Sequence, residues 1–299
     1  MRALVTGGTG FIGSNLTEEL VKLGYEVVIT GFDNELKIDN FNGKFITGDL
    51  SEINFDKIGY VDVVFHQAAN NDTTLLDRNK MFMDNLDSSK RLFDWAIKND
   101  CKNIVYASST AIYGNVEAPF KEDGIKNPLN PYAESKLLLD NYVQQLIKKQ
   151  EINIVGLRYC NVYGKGEGYK GKRSTMIYQL AQQMIKGNPR LFKFGEQKRD
   201  YIYVKDVVKA NLLASKSRES CIINCGSGRD YSFNYIVDVL NRILNLDRKP
   251  EYIDNPYIGR YQDHTLCDMS LAKEKINFIS EYDLDKGIED YYNSGKLID

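Results

Sequence analysis

The stretch that decides the fold stands near the N-terminus and reads Gly7-Gly8-Thr9-Gly10-Phe11-Ile12-Gly13. It follows an apolar run at residues 2–6 that predicts a β-strand, and it opens a helical pattern over residues 11–23. Closely spaced glycines between a strand and a helix permit a tight turn and a close approach of a ligand to the backbone. The N-terminus of the helix favours a diphosphate. The pattern therefore predicts a dinucleotide-binding loop.

The rest of the first half repeats this alternation of strands and helices. Further strands are predicted at residues 26–30, 44–47, 61–65, 103–107 and 153–158, and helices at roughly 84–99 and at 132–149. Such alternation is typical of βαβ units around a parallel sheet. We therefore expect an α/β protein with a Rossmann-type, doubly wound parallel sheet.

The pattern changes after residue 158. Residues 159–198 are rich in Gly, Lys and Tyr, and strand patterns return at 201–204 and 221–225. Helices are predicted at 179–186, 206–214 and 233–244. Because ligands bind at the carboxyl ends of strands in open α/β sheets, loops of the second half have to cover that edge. We expect a dinucleotide-binding domain of residues 1–158 plus about 200–225, and a smaller α/β substrate-binding domain of about 159–199 plus 226–299.

Composition excludes several classes of function. The chain has 299 residues and a net charge of −2, which gives no electrostatic reason to expect nucleic acid or an anionic membrane as partner. No apolar run approaches the ~20 residues that span a bilayer, and no signal-peptide pattern is visible, so we expect a cytoplasmic protein. Five cysteines without CxxC spacing and two distant histidines predict reduced thiols and no metal site.

A Tyr and a Lys carry the predicted chemistry. Tyr132 and Lys136 lie four residues apart on a predicted helix and share one face, where the ammonium is expected to lower the phenol pKa from its usual value of about 10. Ser109 follows the strand at 103–107 and by itself would fit an ordinary Ser/Thr turn. Together the three predict oxidation of an alcohol, with Tyr132 as the acid/base, Lys136 tuning it and holding the nicotinamide ribose, and Ser109 orienting the alcohol.

Other strand ends offer cofactor contacts. Asp49 follows the strand at 44–47 and could meet an adenine amino group, while Gln67, Ala68 and Ala69 follow the strand at 61–65. For His66, a structural role is at least as strong an interpretation as catalysis. At the ribose site Asp33 lies at a suitable distance, but Gly31 occupies the place where shorter-spaced relatives put the acid, and Lys37 is nearby. The sequence therefore leaves NAD and NADP open.

The glycine loop, Ser109 and Tyr132-x-x-x-Lys136 resemble the extended short-chain dehydrogenase/reductase superfamily of nucleotide-sugar enzymes. Within that superfamily the chain is similar over nearly its full length to the ADP-glyceromanno-heptose 6-epimerases. The segments that carry this closer match lie at residues 66–69, 72–74, 106–109, 113–114, 158–164, 167–171, 195–201 and 259–262.

This resemblance implies roles for individual residues. Lys170 falls where the heptose epimerases keep a second acid/base that faces Tyr132 across the substrate, and without the resemblance it would be one cation in a basic cluster. The implied substrate contacts are Ser109, Asn161, Lys172, Gln179, Arg199 and Tyr261. Lys172 and Gln179 stand where the bacterial heptose enzymes more often have Ser and His.

The resemblance also implies a tightly bound NADP or NAD, a nucleotide-diphosphate sugar as substrate, and a homo-oligomer formed by the helices at 84–99 and 132–149. The expected cofactor contacts are Gly7, Gly10, Phe11, Ile12, Gly13, Asp33, Asn34, Asp49, Leu50, Gln67, Ala68, Ala69, Asn85, Tyr132 and Lys136.

Four functions compete. A heptose 6-epimerase, inverting C6 of an ADP- or GDP-glycero-manno-heptose by transient oxidation, is favoured by Lys170 and by the segment Arg260-Tyr261-Gln262. A UDP-hexose 4-epimerase would use Ser109, Tyr132 and Lys136 without requiring Lys170. A 4,6-dehydratase is discounted, because relatives with that activity carry an Asp-Glu pair where this chain has Thr110-Ala111. A dinucleotide-binding sensor without catalysis could lose its Tyr or Lys, and both are present.

Overall fold

The computed structural model describes residues 1–32, 38, 41–255 and 263–298, apart from the side chain of Lys172. The strands are β1 (Arg2–Thr6), β2 (Glu26–Gly31), β3 (Lys44–Thr47), β4 (Val63–His66), β5 (Asn103–Ser109), β6 (Asn153–Tyr159), β7 (Asn161–Tyr163), β8 (Arg190–Phe192), β9 (Lys198–Tyr203), β10 (Cys221–Cys225), β11 (Asp230–Ser232) and β12 (Glu251–Ile253). The α-helices are α1 (Phe11–Lys22), α2 (Arg78–Phe82), α3 (Ser88–Lys98), α4 (Pro131–Leu146), α5 (Met176–Lys186), α6 (Val204–Ala214), α7 (Phe233–Leu244), α8 (Ser270–Ile276) and α9 (Leu284–Asn293).

Seven strands form the central sheet in the order β10-β6-β5-β4-β1-β2-β3. Every neighbouring pair in it is parallel. The strand order reverses at β1, since β2 and β3 lie on one side of it and β4, β5, β6 and β10 on the other. Ligands of open α/β sheets bind at such a reversal, beyond the carboxyl ends of the strands. The loop after β1 therefore lies where a dinucleotide is expected, and the predicted Rossmann-type fold is confirmed.

Alternate residues of the sheet enter two separate apolar cores. Val5 packs in one core with Leu16 of α1, whereas its neighbour Leu4 packs in the other with Leu92 of α3 and Leu139 of α4. Both faces are covered because side chains of a strand point alternately to either side. The near-continuous apolar composition of the strands follows from this double burial.

The predicted elements of the first half all form, with shifted ends. The strand predicted at 61–65 runs over Val63–His66, and the strand predicted at 103–107 continues to Ser109. The helix predicted from residue 84 begins at Arg78, because the side chain of Asp77 accepts a hydrogen bond from the Lys80 amide and caps it. One π-helical turn, Met83–Asp87, joins α2 to α3.

The second half adds two small sheets beside the carboxyl edge of the large one. Strand β9 pairs in parallel with β7 and antiparallel with β11, and β8 pairs in parallel with β12. Strand β10 joins the central sheet beside β6, as expected for a strand at 221–225. No helix among the described residues is both long enough and apolar enough to cross a membrane.

A buried network clamps helix α4 to the sheet. The Arg158 guanidinium on β6 lies 2.9 Å from the Asp140 carboxylate on α4, and both side chains are almost fully buried. The Tyr106 hydroxyl on β5 donates to the same carboxylate at 2.8 Å, and Arg158 also donates to the Tyr113 hydroxyl at 2.8 Å. The charges are therefore paired and hydrogen-bonded, as burial requires.

We expect Asp140→Asn to lower the free energy of unfolding by about 3–5 kcal/mol, because Arg158 would keep a buried charge without its partner. Urea denaturation measures this. The control is Glu134→Gln on the same helix, which breaks an ion pair with Arg78 at the surface and should cost about 1 kcal/mol or less. Equal losses for the two variants would contradict the clamp.

Candidate active site

The glycine loop turns tightly and presents backbone to a cavity. The Gly10 amide donates to the Gly7 carbonyl at 2.9 Å, and a Cβ on Gly13 would lie 2.0 Å from the same oxygen. A side chain at position 13 is therefore excluded, and helix α1 can begin directly over the turn. A cavity of about 610 Å³ lies above it. Its walls include ten of the predicted cofactor contacts, namely Gly7, Gly10, Phe11, Ile12, Gly13, Asp49, Leu50, Gln67, Ala68 and Ala69.

The structure shows why Gly31, and not an acid, stands at the ribose site. A Cβ on Gly31 would lie 2.2 Å from the Thr9 hydroxyl oxygen, so an acid at position 31 would have to displace Thr9. The predicted contacts Asp33 and Asn34, together with Lys37, lie outside the described residues.

Two of the predicted cofactor contacts are themselves held by hydrogen bonds. The Asp49 carboxylate accepts from the Ser51 amide and hydroxyl; burial raises the pKa of this carboxyl, but these bonds outweigh burial and lower it. Asp49 is thus kept as an ionised acceptor at the cavity wall. The Gln67 amide bridges the Tyr159 hydroxyl and the Asn211 side chain, at 3.0 Å each.

His66 and Asn85 lie behind the walls of this cavity. His66 is buried between Thr6 and Ser89, each 2.7 Å from a ring nitrogen, and burial lowers its pKa to about 3. It is a neutral structural residue. Asn85 was expected to contact the cofactor, but its side chain is 1 % exposed and bonds to the backbone of Asn70 and to Ser135. Asn85 thus orders Asn70, which lines the cavity in its place.

A second cavity of about 810 Å³ holds the predicted chemistry. It shares Phe11, Ile12, Gln67 and Lys170 with the first cavity, so the two adjoin. Its walls include Ser109, Tyr132, Lys136, Asn161, Lys170, Gln179 and Arg199, all predicted from sequence. The side chain of Lys172 and the whole of Tyr261 lie outside the described part of the chain.

The predicted effect of Lys136 on Tyr132 is wrong. The pKa of Tyr132 is raised by burial, which a hydrogen bond with Ser109 only partly offsets. The Lys136 ammonium lies 5.9 Å from the centre of the Tyr132 ring and donates instead to the Ala107 carbonyl at 2.8 Å. Burial also lowers the pKa of Lys136 to about 8, against the opposing effect of Asp140. Desolvation therefore dominates both groups.

Lys170 stands at the junction of the two cavities. Its ammonium lies 5.5 Å from the centre of the Phe11 ring, at the start of α1. Burial lowers its pKa, Glu167 raises it and Arg173 lowers it. A lysine whose pKa is lowered by burial is a suitable proton donor and acceptor.

The charge of the second cavity is strongly one-sided. Among its described wall residues there is no Asp or Glu. The cations there are Lys136, Lys170, Arg173, Arg190 and Arg199. A site of this kind suits a diphosphate, which a guanidinium can bind through paired donors.

Comparison with known proteins agrees with this geometry. The model of the NAD dependent epimerase/dehydratase family matches residues 3–226. The chain belongs to this family. Membership confirms the prediction of a nicotinamide-dependent enzyme of the nucleotide-sugar epimerase type.

Three solved structures show how closely the whole chain follows its relatives. ADP-L-glycero-D-manno-heptose-6-epimerase of Helicobacter pylori is 34 % identical, with a TM-score of 0.90 over 98 % of this chain and 95 % of that chain. UDP-N-acetylglucosamine 4-epimerase of Methanobrevibacter ruminantium is 28 % identical, with a TM-score of 0.90 over 98 % of each chain. UDP-glucose 4-epimerase of Thermotoga maritima is 29 % identical, with a TM-score of 0.89 over 99 % of each chain.

The residues around the glycine loop fit the dinucleotide of an epimerase/dehydratase family member. The N-terminus of helix α1 lies at the wall of the first cavity, where glycines of the loop leave backbone instead of side chains. An ionised acceptor, Asp49, lines this cavity, and Lys170 lies where the two cavities adjoin. A dinucleotide lying along the first cavity would thus reach the second.

Sequence reasoning missed several wall residues and one cluster. Arg190 lines the second cavity, and Tyr169 lies over the glycine loop, where its hydroxyl accepts from the Phe11 amide at 3.2 Å. Nothing in the sequence around Arg190 pointed there, whereas Tyr169 adjoins Lys170 in a segment that carried the family resemblance. The buried side chains of Cys160, Asp200 and Cys267 also meet, although far apart in sequence. The Asp200 carboxylate is already used by four donors, from Ser227, Gly228 and Cys267, so we read the cluster as structural.

The burial of Lys136 predicts that the free energy of unfolding depends on pH. Because its pKa is about 8 in the folded protein against an ordinary 10.5, the unfolded chain binds this proton more tightly between those pH values. Stability contributed by this group therefore rises with pH across that window, by at most about 1.4 kcal/mol per pH unit. Urea denaturation at several pH values should show this slope in the wild type, and Lys136→Met should lose it.

Lys148→Met, at an exposed position just beyond α4, is the control for this measurement. Identical slopes for Lys136→Met and Lys148→Met would contradict the assignment of the titration to Lys136.

Proposed function

We propose that this epimerase inverts C6 of an ADP- or GDP-glycero-manno-heptose. The observation that carries the proposal is that Tyr132 and Lys170, two groups able to exchange a proton, line the same cavity. Inversion by oxidation and re-reduction requires the sugar to present both faces of one carbon. A proton partner for each of two orientations meets that need.

Tyr132 is assigned the first proton transfer. Ser109 hydrogen-bonds the phenol and also accepts from the Ala111 amide at 3.1 Å, so its hydroxyl is oriented by the chain. In this position Ser109 can direct a sugar hydroxyl at Tyr132, which removes its proton. A bound NAD or NADP would supply a hydride acceptor and donor beside this site, held by the residues of the first cavity. Lys136, held at the Ala107 carbonyl on the same face of α4, is assigned to the nicotinamide ribose.

Lys170 is assigned the second proton transfer. When the heptose end turns over, its C6 oxygen points away from Tyr132 and towards the opposite wall of the cavity. Lys170 lines that cavity beside Phe11, and burial, which lowers its pKa, makes its proton easier to lose than that of an exposed lysine. The nucleotide's ADP or GDP moiety remains bound while the sugar end turns.

The cations of the second cavity are assigned to the diphosphate and the sugar. Arg199 lies 5.7 Å above the Phe233 ring and is 8 % exposed, so its direction is fixed by packing. Asn161 donates to the Asp200 carbonyl at 2.9 Å and lies on the same wall. Lys172, Gln179 and Tyr261 are assigned to the sugar. We propose that residues 1–158 with about 200–225 hold the cofactor and that about 159–199 with 226–299 hold the sugar.

A UDP-hexose 4-epimerase is the second candidate. Two of the similar structures carry that type of activity in their names, and Ser109, Tyr132 and Lys136 would serve it equally. Dehydration is disfavoured, because elimination requires an acid and a base at the positions of Thr110 and Ala111. The Thr110 hydroxyl donates instead to the Tyr159 carbonyl at 3.1 Å. The described walls of the cavity also lack carboxylates.

Removing the phenol tests the first assignment. Tyr132→Phe should reduce turnover by roughly 10²-fold or more, because it deletes the acid/base. Product formation is followed by NMR. Tyr142→Phe is the control on the same helix, since its hydroxyl meets Asp94 at the surface, and it should leave turnover within about twofold of wild type. Near-normal turnover of Tyr132→Phe would exclude Tyr132 as the acid/base.

The choice of sugar is tested by incubating the protein with ADP-, GDP- and UDP-sugars and identifying the products by NMR. We expect inversion at C6 of a nucleotide heptose, and we expect Lys170→Met to lose this activity by roughly 10²-fold or more. Inversion at C4 of a UDP-hexose without action on a heptose would favour the second candidate instead. So would full activity of Lys170→Met.

A further inference from the structure

One acidic residue near Lys170 has no role in the scheme above. Glu167 precedes the short helical turn Gly168–Arg173 that carries Lys170, and its side chain is completely buried. A buried carboxylate is costly unless hydrogen bonds and charges compensate it. Its contacts therefore indicate what the residue does.

The Glu167 carboxylate joins the two ends of the Lys170 segment, residues 164–175. One oxygen accepts from the Gly164 amide at 3.2 Å and from the Thr175 hydroxyl at 3.1 Å. The other accepts from the Thr175 amide at 2.7 Å. Gly164 directly follows β7, and Thr175 directly precedes the first residue of α5. Both ends of the segment are thus fixed to one side chain.

The segment between these ends is also fastened to the glycine loop. The Lys170 amide donates to the Glu167 carbonyl at 2.9 Å and closes the turn. The Tyr169 hydroxyl accepts from the Phe11 amide, and the Lys170 ammonium lies over the Phe11 ring. Lys170 is therefore held between an interior anchor at Glu167 and an outer contact at Phe11.

The charge of Glu167 also links this residue to Lys170. Among the described residues, the charged groups that influence Lys170 are Glu167 and Arg173. Glu167 favours the ammonium, whereas burial and Arg173 disfavour it. Burial raises the pKa of Glu167, and the bonds from Thr175 and Gly164 together with the charge of Lys170 offset this only in part. The carboxylate is thus both a mechanical clamp and the counter-charge of the lysine.

We propose that Glu167 is a positioning residue for Lys170, fixing the place of its ammonium and sustaining its protonation through a buried carboxylate. This inference rests on the proposed role of Lys170 as the second acid/base. It assigns to Glu167 no contact with the sugar.

The test follows Lys170 itself. Acetylation of Lys170 by acetic anhydride, measured by mass spectrometry across pH, gives the titration midpoint of its amine in the full-length protein. In Glu167→Gln we expect that midpoint to fall by at least about 0.5 pH unit, because a nearby negative charge that stabilises the ammonium is lost. With the nucleotide sugar that the NMR test identifies as substrate, kcat should fall by about tenfold while KM stays within about twofold.

Glu18→Gln is the matched control. It breaks the ion pair that joins Glu18 of α1 to Lys165, at the outer edge of the same segment, and should move the Lys170 midpoint by less than about 0.2 pH unit. A folded Glu167→Gln with the wild-type midpoint would overturn the inference.

A second variant keeps the test decisive if Glu167→Gln does not fold. Thr175→Val removes one bond to the carboxylate and leaves its charge, so the midpoint should hold while acetylation above it becomes at least about twofold faster. An unchanged rate would then overturn the inference.

The two proposals fail separately. A shifted midpoint in Glu167→Gln, combined with full activity of Lys170→Met, would retain the positioning of Lys170 and exclude its catalytic role. An unchanged midpoint, combined with an inactive Lys170→Met, would do the reverse.

Discussion

The arrangement of the active site depends on the buried contact between Asp140 and Arg158. Tyr132, Lys136 and Asp140 follow one another at intervals of four residues and so share one face of α4. Because Arg158 and Tyr106 hold Asp140 against the sheet, that face can only lie over β5. Lys136 then reaches the Ala107 carbonyl and Tyr132 reaches Ser109. The positions of Tyr132 and Lys136 thus depend on a structural ion pair that lies two helical turns from Tyr132.

Burial, rather than the charge of Lys136, sets the protonation of this face. The phenol and the ammonium are both desolvated, which disfavours the charged form of each. Lys136 consequently has a pKa of about 8, and Tyr132 remains neutral in the resting protein. The protonation of Tyr132 and Lys136 is therefore sensitive to any charge that enters the cavity, since screening by water is weak there.

The two halves of the chain contribute different kinds of order. Parallel strands and the glycine loop form the wall for the cofactor. The Lys170 segment contains only the short helical turn Gly168–Arg173, and hydrogen bonds to Glu167 hold its two ends. The neighbouring cavity combines cations with hydroxyls, and its described walls hold no carboxylate. This composition fits a nucleotide-sugar diphosphate.

The sequence by itself determined the elements of the sheet, the glycine loop and the Ser109, Tyr132 and Lys136 set. These depend on local spacing, on periods of two or four residues and on a turn between a strand and a helix. Only the tertiary structure decided that Asn85 hydrogen-bonds Asn70 and that Thr9 occupies the space beside Gly31. It also decided that Glu167 binds both ends of the Lys170 segment. It also reversed the expected pKa shift of Tyr132. These outcomes depend on burial and on contacts between distant segments, and neither is written in the spacing of residues along the chain.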